Sequence, residues 1–371
     1  MTDVTAIPLS KLYAFQQYAL MRLMLFITGR VHEITGEFSK KAKAIVLAEA
    51  NKDGKLDASG AYRAQVEIAK VWGDALKDLT TLISRGMREG ASMPFGVQAA
   101  YHEELIVPAV KQDVKEAVVD GVFETTLEIL IDAAMRTTGP DGMQYSSRIW
   151  KLDRESREGI NTAIMSAVTD KKSAWQLAKD ISQYVGAGQD CPKWTYARLN
   201  VVTSADKAKG DMTGLLSGED CGGTGVSYNA LRLARTEIQR THHLANDNRM
   251  AAMPWIEQEK IVLSGSHPEE DICDEVVNGG ENGDGVYPKG TIQLPLHPHC
   301  FCDKRAVQDL DAFGDKLSDW VRTGEGFPEM DTYSASLGAD FGSSLLNSPV
   351  AKAFGVWAFD QFEEISARMK K

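Results

Sequence analysis

Apolar residues recur at steps of three and four along the first third of the chain. This helical spacing extends from residue 8 to about 140, with little of the alternation that is typical of strands. Pro94 and the pair Gly139-Pro140 interrupt it and are predicted breaks between helices. The pattern therefore predicts a bundle of long helices.

Two further helices are predicted within residues 146–185. The first has an apolar stripe formed by Ile160, Ile164, Ala167 and Val168. The second opens with Ser173 and Gln176, whose spacing is that of a capping box.

A Gly-rich link around residues 210–226 precedes another predicted helix, over 228–250. Ser227 stands where a residue capping that helix would lie. Its apolar positions fall on one face, which we expect to pack on the preceding pair of helices.

Polar residues of this helix lie off the apolar stripe. Arg235, Glu237 and Arg240 are expected to form a solvated or interhelical ion-pair face, which we favour over a catalytic role. His242 and His243 are adjacent and point about 100° apart around a helix, so they cannot hold one ion together. At most one of them is expected to point inward.

Extended structure is predicted only after this helix. Residues 257–266 have the β-branched character of a short strand, and 278–285 are rich in Gly and Asn, as in an exposed loop. Residues 291–307 alternate like a strand entered through prolines. A small hairpin-like element should therefore fold over the helices.

Composition limits the classes of function. The 371 residues suffice for more than one core. A net charge of −11 argues against a protein that coats nucleic acid non-specifically, because such binding requires clustered Lys and Arg. Lys11, Arg22 and Arg30 divide the apolar N-terminal segment, which also lacks the pattern of a secretory signal, so we expect no membrane anchor and a cytoplasmic product.

The main chemical signal is a cluster of Cys and His residues near the predicted β element. Cys300 and Cys302 are two residues apart in HPHCFC, so in an extended segment both project from one face and can reach one tetrahedral ion. Pro298 bends the chain so that His297 or His299 can turn toward the same point, and Cys273 would complete a thiol-rich set of four. His267 is a further candidate ligand upstream. Such composition is typical of closed, structural zinc sites.

Other interpretations of these residues stay open. A disulfide could join Cys273 to Cys300 or Cys302, although a reducing cytoplasm opposes it, or the thiols could be small buried apolar groups. A catalytic metal is the least favoured, because a thiol-rich set of four leaves no open position. Elsewhere, EANKDGKLD (49–57) looks like a calcium loop, but Gly60 falls where the bidentate Glu is required, so we predict a polar turn.

The segment LARTEIQR is followed by a predicted strand, one ICD cysteine, a Gly-rich loop, VYP and LHPHCFC. The order of these motifs resembles the phage Mu F-like head morphogenesis family, also called minor head or minor capsid proteins. The residues that match are Arg235, Thr236, Glu237, Cys273, His297, Pro298, Cys300 and Cys302.

The sequence departs from the family pattern at two positions. Val276 stands where many members carry a second cysteine, and Phe301 stands where arginine is usual between the last two cysteines. His267 and Asp271 are the candidates for the missing ligand.

We expect a mainly α chain in three parts. The resemblance covers about 145–307 and implies an α+β Mu F-like domain (145–307) whose small β element is clamped by Cys and His. A long-helix N-terminal region (1–144) and a helical C-terminal tail (308–371) are expected outside the resemblance.

The resemblance also implies a structural role without catalysis. Such a protein would associate in several copies with the phage portal protein and with the major capsid or scaffold protein, and packaged DNA is a further candidate partner. It would lie at the capsid interior or portal vertex after assembly in the host cytoplasm. It would contribute to head assembly and to DNA packaging and ejection. Two alternatives are a metal-dependent or toxin-type enzyme carrying this module and a nucleic-acid-binding zinc module. The acidic segment 267–285 opposes the latter.

Overall fold

The computed structural model describes residues 9–101, 131–136, 138, 142–186, 225–251, 253, 255–264, 270–297, 300–307, 310–323 and 325–329. This part of the chain is mainly helical, with one small sheet. Its elements are α1 (Leu9–Ala48), α2 (Ala58–Tyr101), α3 (Tyr145–Thr169), α4 (Ala174–Gly186), α5 (Val226–Ala251), β1 (Gln258–Val262), α6 (Ile272–Val277), β2 (Val286–Pro288), β3 (Asp303–Val307) and α7 (Leu310–Thr323).

Helices α1 and α2 form a long hairpin that provides most of the core. Phe38 of α1 contacts Trp72 of α2, with ring centroids 5.1 Å apart, and the Trp72 indole donates to Asp153 of α3. Side chains from α1 to α5, together with Phe301, share one buried cluster. The hydrophobic core is therefore continuous across the predicted boundary at residue 144.

The turn between α1 and α2 is the segment that looks like a calcium loop. The Asn51 carboxamide oxygen accepts the backbone N–H groups of Asp53 and Lys55, and Asp57 accepts from Gly60 at the start of α2. These oxygens stabilise the turn and the helix end, as the polar-turn interpretation predicts.

Helix α5 crosses α2 at two glycines. A Cβ added at Gly86 would lie 2.5 Å from Ile238 Cδ1, and one at Gly90 would lie 3.0 Å from Ile238 Cγ2. Since only glycine leaves this space, the two helices approach closely enough to bring His242 of α5 to the backbone of α2.

The predicted helix break at Pro94 is wrong, because α2 continues through this residue. A proline inside a helix leaves the carbonyl four residues earlier without its usual donor, and here that carbonyl belongs to Gly90. His242 Nδ1 lies 2.9 Å from the Gly90 oxygen and supplies the hydrogen bond instead. A tertiary contact thus compensates for the lost helical one.

The sheet has three antiparallel strands in the order β2-β1-β3. In the central strand, Glu259 lies opposite Tyr287 of β2 and Ala306 of β3. The strand predicted within 257–266 is confirmed as β1, which spans Gln258–Val262. Among the described residues of the predicted 291–307 strand, only 303–307 pair. Prolines upstream of β3 have no N–H to donate to a neighbouring strand, and the Cys300 N–H donates to the His297 carbonyl in a turn. These features keep the residues before β3 from pairing with β1.

Several other expectations are settled by the helices. Ser173 Oγ accepts the Gln176 N–H, which confirms one half of the predicted capping box, whereas the Gln176 side chain donates to Asp180. Ser227 does not cap α5, which begins at Val226. Ser227 is buried against α1, where its hydroxyl accepts from Thr35. The C-terminal region is helical over α7. Both the Gly-rich link at 210–224 and the tail beyond 329 lie outside the described residues.

Candidate metal centre

The candidate ligands come from two short segments beside the sheet. Cys273 lies in the first turn of α6, a helix that begins because Asp271 and Asp274 form a capping box. His297, Cys300 and Cys302 lie in the segment that leads into β3. We call residues 270–302 the flap.

Three thiols of the flap meet in its interior. Cys273, Cys300 and Cys302 are 0%, 2% and 1% exposed, and their sulfur atoms all lie within 4.8 Å of one another. The Cys273 and Cys300 sulfurs are 3.7 Å apart, whereas two thiolates bound to zinc at ~2.3 Å in a tetrahedral site are separated by about 3.8 Å. This cluster could therefore hold a metal ion.

An imidazole and a carboxylate border the thiols on the solvent side. His297 Nε2 lies 3.2 Å from Cys273 Sγ and 3.2 Å from Asp271 Oδ2. Asp271, Cys273 and His297 form a second group of potential ligands, which shares Cys273 with the thiol group. His297 is therefore a potential fourth ligand, with Asp271 as an alternative or as its hydrogen-bond partner.

The thiols share their protons unequally. Hydrogen bonds with Cys273 and Cys302 hold the pKa of Cys300 well below its usual range, with a further contribution from His297, although burial opposes the shift. Hydrogen bonds with Cys300 and Cys302, and then burial, raise the pKa of Cys273. Cys300 is thus the thiol that ionises first, and binding of an ion to all three would release protons.

The described cysteines are free thiols, so the disulfide interpretation finds no support in these three residues. Phe301 points away from them into the helical core, as the two-residue spacing of Cys300 and Cys302 predicts. Of the other candidate ligands, His267 and His299 lie outside the described residues.

A buried set of charges fixes the flap to the sheet. The Glu259 carboxylate accepts the backbone N–H groups of Gly290 and Ile292, each at 2.9 Å. Lys304 of β3 donates to Asp247 at 2.7 Å and lies 3.3 Å from Glu259. Since the Lys304 and Glu259 side chains are fully buried, this arrangement sets the path of the chain that leads to His297.

The polar residues of α5 lie inside the protein. Glu237 is fully buried and accepts from Arg148 of α3 and from Arg240, whose Nη2 lies 2.7 Å away. For Glu237 and Arg240 the structure has the interhelical ion pair and not the solvated face, whereas Arg235 is buried and donates to the Thr28 hydroxyl of α1. The guanidinium groups of Arg148 and Arg240 both pair with the Glu237 carboxylate between packed helices, so these charges serve the packing of the helices.

The expectation that at most one of His242 and His243 points inward is wrong, because both are fully buried. Helix α5 is enclosed by α1 and α2 on one side and by the sheet and flap on the other, so it has no solvent face at this level. His242 donates from Nδ1 to Gly90 and its Nε2 accepts from Gln16 at 3.0 Å. Burial lowers the pKa of His242, which keeps this ring neutral.

Sequence reasoning missed the buried charges of Glu259 and Lys304 and the half-buried carboxylate of Asp247 beside them. Their residue types indicate surface positions in a single sequence. The only available signal was the alternation of β1, which places Glu259 on the same face as the apolar Ile261.

No family model, no curated protein and no solved structure matches this chain. Among the described residues, none of the helices combines the length and the apolar character that a bilayer-spanning segment needs.

Proposed function

We propose that the chain is a structural minor head protein of a tailed phage or prophage, in which zinc bound by the flap makes a rigid surface for assembly. The portal protein and the major capsid or scaffold protein are its proposed partners. The resemblance to the Mu F-like family supplies this identity. The buried thiol cluster is the observation that supports a structural role.

The donor set favours zinc in a structural site. Three thiols with one imidazole are a ligand combination typical of closed tetrahedral zinc sites, which leave no position for a substrate. Closing the loop between Cys273 and Cys300 costs about 3 kcal/mol, plus a constant, in chain entropy. A structural zinc ion contributes ~10–16 kcal/mol at neutral pH, which is ample for ordering a Gly-rich flap.

The Arg-Thr-Glu segment also supports a role in packing. Glu237 is held between Arg148 and Arg240 with no exposed area on its side chain. A general acid or base must reach its substrate within hydrogen-bond distance. This burial favours the structural proposal over the enzyme alternative.

The surface of the flap favours protein partners. Residues 270–285 contain six carboxylates and no Lys, Arg or His. Acidic side chains repel phosphate, so this face does not suit a nucleic-acid-binding zinc module. It would suit a basic surface of a portal or capsid subunit.

Purified particles test the assembly role. The gene would be deleted from its phage or prophage, and the particles would be compared with those of the unaltered strain by mass spectrometry, electron microscopy and assay of packaged DNA. We expect the protein in wild-type particles at a few copies, and particles with defective heads or ejection in the deletion strain. Complementation with Cys300→Ser should fail where complementation with Ser264→Ala, beside the flap, succeeds. Absence of the protein from intact particles, with normal heads after deletion, would contradict the proposal.

A further inference from the structure

His243 is a fully buried imidazole that makes no well-formed hydrogen bond with the described residues. Among the described residues, neither of its ring nitrogens has a hydrogen-bond partner of ordinary geometry. The adjacent His242 is equally buried but has a partner at each nitrogen, and the two rings meet edge to face at 5.3 Å. Because an unpaired buried polar group is costly, it calls for a partner that the protein acquires in another state.

The packing of α5 shows where His243 lies. The Arg235 guanidinium stands 5.9 Å from the centre of the Phe301 ring, and Asn246 Nδ2 donates to the Lys304 carbonyl at 2.9 Å. His243 follows Arg235 by eight residues and precedes Asn246 by three, so all three share one face of the helix. That face therefore places His243 opposite the stretch between Phe301 and Lys304, which contains Cys302.

The electrostatics of the ring agree with this position. Burial, followed by the neighbouring His242, lowers the pKa of His243 to about 3, whereas Cys300 and the Cys302 carbonyl oppose the shift. The ring is consequently neutral at ordinary pH and has one N–H to donate. Within the part of the chain that the structure describes, no acceptor makes a hydrogen bond of ordinary geometry with this N–H, although the Cys302 carbonyl lies toward the ring.

We propose that His243 is an outer residue of the metal centre, which donates a hydrogen bond to the Cys300–Cys302 segment when those thiols are held as metal-bound thiolates. This inference rests on the proposed metal site. A thiolate is a stronger acceptor than a thiol, and metal ligands are commonly oriented by such outer hydrogen bonds. His243 would thereby link occupancy of the flap to α5, the helix that contacts the rest of the core.

A matched pair of variants tests the proposal. Zinc affinity would be measured by chelator competition, and thermal stability would be measured with and without zinc, for His243→Phe, His242→Phe and the unaltered protein. We expect His243→Phe to bind zinc 10–100-fold more weakly, while its metal-free form is at least as stable as the wild type, because the change removes unpaired buried nitrogens. His242→Phe should bind zinc normally but be less stable in both forms, because it loses two hydrogen bonds.

Equal zinc affinities for His243→Phe and the wild type would overturn the role of His243 but leave the proposed metal centre standing. Failure of the unaltered protein to bind zinc would overturn the metal centre and this inference with it. A measurement on the unaltered chain covers the case in which a variant does not fold. With ¹⁵N-labelled histidine, zinc should shift the ring resonances of His243 and leave those of His242 in place. Unchanged His243 resonances at full zinc occupancy would refute the hydrogen bond.

Discussion

Replacing Lys304 by Met should destabilise the protein more than any surface substitution, because it strands a buried carboxylate. The ammonium group lies 3.3 Å from Glu259, and both side chains are fully buried. At an effective dielectric constant near 20, two unit charges at this distance attract by about 5 kcal/mol. Removal of one member of a buried ion pair typically costs ~3–5 kcal/mol. We therefore expect Lys304→Met to lower the free energy of unfolding by about 3–5 kcal/mol.

The same change should loosen the path of the chain toward His297. Glu259 accepts the N–H groups of Gly290 and Ile292, so hydrogen exchange at these two amides reports on the local effect. Faster exchange at both amides is the expected result in Lys304→Met.

Lys260 of the same sheet provides the control. Its side chain is exposed, so Lys260→Met should change stability by no more than about 0.5 kcal/mol. Urea unfolding would compare the two variants. Neutralising the stranded charge in the double variant Lys304→Met/Glu259→Gln should recover part of the loss. If Lys304→Met differs from Lys260→Met by less than about 1 kcal/mol, the buried pair does not have the assigned energy.

Three further predictions concern the helices. Gly86→Ala should destabilise the protein by about 1–3 kcal/mol, because its Cβ would lie 2.5 Å from a buried side chain of α5. Gly73 has open space around it, so Gly73→Ala should leave the thermal stability unchanged or raise it. Equal effects of the two variants in thermal unfolding would contradict the close crossing of α2 and α5. Because burial keeps the pKa of His243 at about 3, only the unfolded state takes up its proton as pH falls below about 6.5. The metal-free protein should thus lose about 2 kcal/mol by pH 5 from this group, and a pH slope that is unchanged in His243→Phe would refute the assignment. Arg148→Ala removes one partner of the buried Glu237 carboxylate and should lower the free energy of unfolding by about 2–3 kcal/mol. Arg154 is exposed, so Arg154→Ala should lower it by less than about 0.5 kcal/mol. Similar urea midpoints for the two variants would show that the buried pair contributes little to stability.

The candidate site was largely predictable from spacing. Cys300 and Cys302 share a side of the chain because two residues separate them, and this relation survives although the segment is not a paired strand. The approach of Cys273 to them was expected from the order of the motifs. Its actual cause is the capping of α6 by Asp271, together with the docking of that helix on the sheet through the Tyr287 hydroxyl, which donates to the Val276 carbonyl.

The errors arose where tertiary contacts change the meaning of a residue type. Pro94 indicates a helix end in a sequence, but a histidine from another helix satisfies the carbonyl that the proline leaves without a donor. Lys and Glu residues such as Lys304 and Glu259 usually indicate surface positions, yet here the two charges neutralise each other inside the protein. His243 belongs to the same group, since helical spacing alone cannot show that α5 is enclosed on all sides.

The metal content of the protein tests the central claim most directly. Anaerobically purified chain and its Cys300→Ser variant would be compared by elemental analysis. If Cys273, Cys300 and Cys302 with His297 hold one structural ion, the unaltered protein contains about one equivalent of zinc and the variant loses it. Less than about half an equivalent, unchanged in Cys300→Ser, would contradict the account.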